Sequence, residues 1–209
     1  MTSTTALAQT LADGLAAMRL DLPLAVQTKL LAYVELLAKW NHAYNLTAVR
    51  DPVDMVPRHL LDSLTLLPLI HGGYLADIGS GAGLPGIPLA LARPELAVTL
   101  IESNGKRTRF LREVVRSLPL PNVTVVQARV QDAAGAFDTV TCRAFASLAD
   151  MLAWGGHLLA PSGRWLAMKG HADVAEIAAI PAGFRVVTVH RLAVPGHAAE
   201  RCAIELARA

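Results

Sequence analysis

The sequence predicts an α/β protein in which a mostly parallel, doubly wound sheet follows an all-helical N-terminal segment. Three observations predict this class. Apolar residues at helical spacing fill the first 72 residues, seven short β-rich runs come after them, and segments of ten or more residues with helical character separate the first five runs. Alternating strands and helices are typical of a parallel sheet that is covered by helices on both faces.

The N-terminal segment shows a helical pattern in two stretches, and a start signal indicates a third helix. Residues 6–20 and 24–40 carry apolar side chains three or four positions apart, and Pro23 stands where the second helix would begin. A further helix is predicted to begin at Pro52, its first helical position, with Asp51 as the cap. We therefore expect residues 1–72 to form a helical extension packed on a core domain of residues 73–209.

The strands of the core domain are predicted from short runs rich in β-branched and apolar residues. Only the loop LAVPGHAAE separates the last two runs, so they are expected to form an antiparallel hairpin at one sheet edge. The prediction is a seven-stranded, mostly parallel sheet with an antiparallel last strand. The runs are residues 74–79, 98–102, 123–127, 137–142, 164–169, 184–190 and 201–207.

The composition is apolar, but it does not indicate a membrane protein. Of 209 residues, 53% are hydrophobic and 17% are charged, and no apolar run approaches the ~18 residues that a spanning helix needs. The first charged side chain is Asp13, which argues against an N-terminal signal. Cys142 and Cys202 form no metal-ligand spacing. We expect a cytoplasmic monomer without a bound metal.

The most informative segment is YLADIGSGAGLPG, residues 74–86, where a predicted strand runs into a glycine-rich turn. Gly79, Gly81 and Gly83 allow a sharp turn and a close approach of the backbone to a ligand. Glu102 ends the next predicted strand, where an acid can accept hydrogen bonds from both hydroxyls of a ribose. The ligand is therefore predicted to contain adenosine, the alternative being a turn with a purely structural role.

The choice of cofactor depends on glycine spacing and on Asp77. The dinucleotide fingerprint is G-x-G-x-x-G, with its pyrophosphate at the helix N-terminus, whereas this chain has G-x-G-x-G with Asp77 just before it. A carboxylate there repels a diphosphate but suits the ammonium and sulfonium groups of S-adenosylmethionine (SAM). No Lys or Arg stands between Gly79 and Gly86 to bind phosphate. SAM is the predicted cofactor.

Six motifs in the chain form a recognisable combination. They are W-N-x-x-Y-N-L-T at 40–47, R-H-x-L-D-S at 58–63, D-I-G-S-G-A-G-L-P-G-I-P at 77–88, G-K-R at 105–107, C-R-A-F-A-S-L at 142–148 and M-K-G at 168–170. With these motifs, the chain resembles the RsmG family, also called GidB, from about residue 25 to residue 206.

This resemblance implies a Rossmann-like class I methyltransferase that uses SAM to modify N7 of a guanosine in the decoding-region loop of bacterial small-subunit ribosomal RNA. By position in the motifs, the SAM contacts of the family fall on Gly79, Leu84, Val130, Gln131 and Arg143, and Glu102 is the expected ribose acid. Gln131 departs from the pattern, because an acid is common there. We expect a backbone contact with adenine at that position.

The candidate catalytic residues are Arg143, Asn45 and His59. Guanine N7 carries a lone pair and no proton, so methyl transfer needs alignment rather than a general base. Arg143 follows the fourth predicted strand, at the edge where ligands bind, and is expected to position phosphate or cofactor. The structural alternative for Arg143 is a salt bridge with Asp138 or Asp150. For His59 it is a structural hydrogen bond, and for Asn45 a turn conformation.

A basic helix is the predicted RNA-binding element. Five cations lie within residues 106–116, against the single acid Glu113. The predicted RNA contacts are Lys106, Arg107, Arg109 and Lys169, with Phe145 as a stacking candidate and with contact between Lys106 and the cofactor as an alternative. A solvated charged face is the structural alternative for the helix.

Three other functions stay open from the sequence. They are a class I methyltransferase with a different substrate, a nicotinamide-dependent oxidoreductase, and an RNA-binding module that senses the cofactor without catalysis.

Overall fold

The strands of the computed structural model, which describes residues 2–143 and 146–209, form one seven-stranded sheet. In chain order they are β1 (Tyr74–Ile78), β2 (Ala97–Ile101), β3 (Val123–Val126), β4 (Phe137–Arg143), β5 (Leu159–Lys169), β6 (Phe184–Arg191) and β7 (Cys202–Arg208). Their order across the sheet is β3-β2-β1-β4-β5-β7-β6. Strands β1 to β5 pair in parallel, and β7 is antiparallel to both its neighbours. The predicted sheet is confirmed.

The N-terminal segment is helical, as predicted. Its elements are α1 (Thr2–Ala17), α2 (Leu24–Tyr44), α3 (Pro52–Met55), a π-helical segment (Val56–Leu61), α4 (Asp62–Leu64) and a 3-10 turn (Leu67–Leu69). Pro23 precedes α2, and the Asp51 carboxylate caps α3 by accepting a hydrogen bond from the Val53 amide at 2.9 Å. Within the described residues, no helix has the length and apolar character needed to cross a membrane.

The connections between strands differ from the prediction at one place. They contain α5 (Gly86–Ala92), α6 (Gly105–Ser117), α7 (Leu148–Gly155), α8 (Val174–Ala178) and 3-10 turns at Val130–Asp132 and Gly156–Leu158. The helical character predicted between β3 and β4 is wrong, because only the first of these 3-10 turns forms there. The backbone is extended at Arg129 and Ala133, on either side of that turn, so a longer helix cannot form.

Two hydrophobic clusters cover the two faces of the sheet. In β1, Leu75 belongs to the cluster that contains the N-terminal helices, whereas Ala76 and Ile78 belong to the cluster that contains α7. The alternation follows from the period of two along a strand. The N-terminal helices therefore share a continuous apolar core with one face of the sheet.

Candidate functional site

The turn after β1 is formed by three glycines with left-handed backbone conformations. The φ angles are +62° at Gly79, +59° at Gly81 and +89° at Gly83, and residues that carry a side chain rarely adopt such positive values. A Cβ on Gly83 would stand 2.6 Å from Ile87 Cγ1, so packing also requires glycine there. At Gly81 the nearest atom would lie 3.8 Å away, and the space beside the backbone is open. The turn thus leaves room for a ligand at Gly81.

Asp77 is completely buried beneath this turn. Its Oδ2 accepts a hydrogen bond from the Gly86 amide, the first residue of α5, at 2.9 Å. Its Oδ1 has no partner among the described residues. Burial raises the pKa of Asp77 to about 7, against the lowering effects of the Gly86 amide and Arg143. The Asp77 side chain therefore occupies the helix start where a dinucleotide would place its pyrophosphate, and its unpartnered Oδ1 is buried.

Glu102, immediately after β2, is held by two backbone amides. Its Oε2 accepts a hydrogen bond from Gly81 at 2.9 Å, and its Oε1 accepts one from Asn104 at 2.8 Å. The guanidinium of Arg107 lies 3.7 Å from Oε2. Only 5% of Glu102 is exposed. The carboxylate is therefore fixed in orientation, and its remaining lone pairs can accept hydroxyl groups.

A cleft of about 760 Å³ runs along these groups at the carboxyl ends of β1, β2 and β3. Its lining includes the predicted residues Gly79, Glu102, Val130 and Gln131. Leu84, also predicted to contact the cofactor, is buried with 4% exposure and is not part of this lining. Arg107, rather than Lys106, is the basic side chain of the G-K-R motif that lines the cleft. The dimensions suit a nucleoside-sized ligand.

A second cavity, of about 330 Å³, lies at the carboxyl ends of β4 and β5. It brings together three predicted residues, His59, Arg143 and Lys169, with Thr47 from the N-L-T motif. The Lys169 ammonium donates hydrogen bonds to the Ala146 carbonyl at 2.8 Å and to Glu176 Oε1 at 2.7 Å, which fixes it at the rim.

His59 is a neutral side chain in a hydrogen-bonded network. Its Nδ1 lies 2.8 Å from the Arg58 carbonyl and its Nε2 lies 2.8 Å from the Thr47 hydroxyl. A carbonyl can only accept, so this network assigns the proton to Nδ1 and makes Nε2 the acceptor. Burial, followed by the charge of Arg143, lowers the pKa of His59 to about 4. The imidazole is therefore uncharged at neutral pH.

Arg143 pairs with a carboxylate that the sequence prediction did not consider. Its Nη1 donates to Asp62 Oδ2 at 3.0 Å and to the Arg58 carbonyl at 3.0 Å. The predicted alternative, a salt bridge with Asp138 or Asp150, is wrong. The Asp138 carboxylate accepts from the amides of residues 73 and 74, and Asp150 accepts from the hydroxyl of residue 147.

Asn45 lies outside the lining of the second cavity. It is the C-cap of α2, with a left-handed backbone at φ +49°, and its Oδ1 accepts a hydrogen bond from Arg50 Nη2 at 2.9 Å. These contacts match the turn conformation given as the structural alternative for this residue. Its predicted catalytic role stays a prediction.

The basic face of α6 is exposed to solvent. Lys106, Arg109 and Arg112 line a shallow depression there, and Arg109 also donates to the Tyr44 hydroxyl at 3.2 Å. Arg107 is turned toward Glu102 and the cleft. Phe145, the stacking candidate, lies outside the described residues.

Sequence reasoning missed three side chains that shape these sites. Tyr33 in α2 is fully buried and donates to the Ala82 carbonyl in the glycine turn at 2.8 Å. Asp62 and Arg201 form an ion pair beside the second cavity, 3.1 Å apart. The position of Asp62 within R-H-x-L-D-S was a usable signal, whereas nothing near Tyr33 or Arg201 in the chain indicated their partners.

Comparison with known proteins identifies the family. The family described as GidB, rRNA small subunit methyltransferase G, matches residues 26–204. The chain belongs to this family. Two relatives named ribosomal RNA small subunit methyltransferase G show the same extent of similarity. The one from Xanthomonas campestris pv. campestris (strain B100) is 56% identical, over 91% of this chain and 90% of the relative. The one from Stenotrophomonas maltophilia (strain K279a) is 55% identical, over 93% and 92%.

Solved structures support the fold independently of close sequence similarity. TrmN from Thermus thermophilus matches with a TM-score of 0.58 at 18% identity, covering 81% of this chain and 53% of TrmN. The chain thus spans about half the length of TrmN. The predicted GidB membership and the class I methyltransferase fold are both confirmed.

Proposed function

We propose that this GidB-family protein transfers a methyl group from SAM to N7 of a guanosine in the decoding-region loop of small-subunit ribosomal RNA. The observation that carries the proposal is the arrangement of Glu102 and the glycine turn along a cleft of about 760 Å³, next along the sheet edge to a cation-rich cavity. Arg143 influences the pKa values of both Asp77 and His59, so its charge acts on the two sites together.

The residues of the cleft fit SAM. Glu102 offers a fixed carboxylate for ribose hydroxyls, and Val130 and Gln131 follow it along the lining, where adenine contacts are expected. Asp77 is fully buried and outside the lining of this cleft, so its predicted contact with SAM stays a prediction. When bound, SAM supplies an electrophilic methyl group on a sulfonium. The protein's part is to hold the cofactor and to exclude competing orientations.

The nicotinamide alternative fits less well. A pyrophosphate needs free amides at a helix N-terminus, but the Gly86 amide of α5 is already bonded to the Asp77 carboxylate at 2.9 Å. Any diphosphate there would meet a carboxylate that becomes more charged as pH rises above its pKa of about 7.

The second cavity is proposed to receive the target nucleotide. Methylation of guanine N7 requires no general base. His59 could not act as one, because the lone pair of its Nε2 accepts a hydrogen bond from the Thr47 hydroxyl at 2.8 Å. His59 and Thr47 therefore shape the cavity, while Arg143 and Lys169 contribute positive charge. Alignment of the two reacting groups provides the rate enhancement.

The exposed cations of α6 are proposed to bind RNA phosphates outside the cavity. Lys106, Arg109 and Arg112 surround one shallow depression, and none of its six lining residues described by the structure is acidic. An A-form duplex hides N7 in a deep, narrow groove, so the target must be in a loop or splayed from its stack. The proposed function therefore needs both this surface and the enclosed cavity.

The N-terminal extension is proposed to connect the two sites. Tyr33 of α2 supports the glycine turn through the Ala82 carbonyl, while Asn41 of the same helix bonds the Val49 carbonyl at 3.1 Å and accepts from the Thr47 amide at 2.9 Å. We propose that this unit acts as a monomer on ribosomal RNA in the cytoplasm.

Transfer of a labelled methyl group tests the proposed function. The protein is incubated with labelled SAM and with one of three substrates. These are small ribosomal subunits that lack the modification, large ribosomal subunits, and naked small-subunit RNA. We expect label in small-subunit RNA and none in large-subunit RNA, with loss of incorporation in Glu102→Gln and retention in Glu113→Gln, a partly exposed acid on α6. Tight NAD binding without methyl transfer would contradict the proposal.

A further inference from the structure

Asp62 joins two guanidinium groups that come from distant parts of the chain. Its Oδ2 accepts from Arg143 Nη1 at 3.0 Å, and its Oδ1 accepts from Arg201 Nε at 3.1 Å. The sequence separations are 81 and 139 residues. Asp62 has 0% exposure, while the side chains of Arg143 and Arg201 are 21% and 28% exposed. The carboxylate is therefore internal, and both cations reach the cavity.

The carboxylate explains how the two cations can lie side by side. Two guanidinium groups repel each other, and an unpaired buried carboxylate is strongly disfavoured, so each group is stable here only with the others. Asp62 uses one donor atom of each arginine. A guanidinium has five N–H donors, so the pair keeps donors for a ligand in addition to the contacts with the Arg58 carbonyl and His197.

The charge around the cavity indicates the ligand. Its described lining contains Arg58, Arg143, Lys169 and Arg201 with Asp62 as the single carboxylate, and Glu176 outside the lining pairs with Lys169, which leaves an excess of two positive charges. Methylation at N7 makes guanine cationic, so this excess of positive charge would oppose the reaction unless the substrate also brought negative charge. A nucleotide within RNA brings it as a phosphodiester, which arginine donors recognise in pairs.

We infer, on the basis of the proposed function, that Asp62 is a positioning residue that holds Arg143 and Arg201 as a fixed pair, and that this pair binds the phosphodiester of the target nucleotide. Arg201 tests phosphate binding better than Arg143, because both line the second cavity but only Arg143 is also a predicted cofactor contact and shifts the pKa of Asp77 beneath the glycine turn. The pair would then anchor the backbone and leave the N7 edge of the base free.

The test measures steady-state methylation of small-subunit RNA by Asp62→Asn, Arg201→Gln and Arg201→Lys. Arg191→Gln is the matched control, because Arg191 is an exposed arginine on the neighbouring strand and pairs only with Glu200 among its described contacts. For Asp62→Asn and Arg201→Gln we expect KM for RNA to rise about tenfold, the effect of losing a charged hydrogen bond. Arg201→Gln should leave SAM affinity unchanged.

The salt dependence separates phosphate binding from a structural role. Loss of one phosphate contact should reduce the slope of log(1/KM) against log salt by about 0.7 in Arg201→Gln, and Arg201→Lys should restore the slope because it restores the charge. A wild-type KM and slope in both Asp62→Asn and Arg201→Gln would overturn the inference. So would a change in melting temperature with KM unchanged.

The same assay distinguishes the two proposals. If the wild-type protein methylates small-subunit RNA while the variants match it, this inference alone fails. If the wild-type protein transfers no methyl group to that RNA, the proposed function fails and the inference falls with it.

Discussion

Replacing Glu102 by Gln is expected to weaken SAM binding strongly while leaving most of the fold intact. The substitution keeps size and shape but puts an amide NH₂ where one carboxylate oxygen accepts a hydrogen bond from Gly81 at 2.9 Å or Asn104 at 2.8 Å. One backbone amide then faces a donor, which costs about 1–3 kcal/mol of stability. For a chain of this length that corresponds to a fall in melting temperature of very roughly 2–10 °C.

The binding effect follows from the charge of the hydrogen bonds that are lost. Each ribose hydroxyl bonded to the carboxylate contributes about 1.5–3 kcal/mol, so losing one such bond weakens Kd about ten- to hundredfold. Titration calorimetry with SAM measures this change, and Glu113→Gln on α6 is the control of identical chemistry. A Kd within twofold of wild type in a folded Glu102→Gln protein would refute the assignment of Glu102 to the ribose.

The remaining predictions concern the second cavity and the α6 surface. Arg143→Ala should lower kcat/KM for RNA about a hundredfold in a protein that stays folded, and a near-normal kcat/KM would argue against a positioning role. Because burial lowers the pKa of His59 from 6.5 to about 4, wild-type stability relative to that of His59→Asn should fall by on the order of 3 kcal/mol as pH drops through that window, while the raised pKa of buried Asp77 affects both proteins alike. Denaturation of both proteins across that window measures this difference. Charge removal at Lys106 or Arg109 should each reduce the salt slope of RNA affinity by about 0.7, and an unchanged slope would exclude α6 as the RNA surface.

The sequence places Gly79 and Glu102 beside one cleft because the features that bring them together are local. Gly79, Gly81 and Gly83 stand together in the chain, and their positive φ angles are the conformations that glycine permits. Glu102 immediately follows β2, which is adjacent to β1, and parallel strands bring their carboxyl ends to the same sheet edge. Strand pattern and residue type are therefore sufficient to place these groups together.

The second cavity is predicted less completely because its contacts are long-range. Arg143 was expected at the correct strand end, but its partner Asp62 lies 81 residues away, on a helix whose orientation is set by core packing. Arg201 precedes the last strand and is 139 residues from Asp62. Tyr33 reaches the glycine turn from a helix for which the sequence pattern indicates only an apolar face. Spacing along the chain contains no information about such pairings.

Identification of the methylated nucleoside tests the central claim most directly. Small subunits that lack the modification are treated with the protein and isotopically labelled SAM, and their RNA is digested to nucleosides for mass spectrometry. We predict label in 7-methylguanosine at about one per subunit, from a single loop of the small-subunit RNA, as the central claim requires. Label in any other nucleoside, in ribosomal protein, or in large-subunit RNA would contradict it.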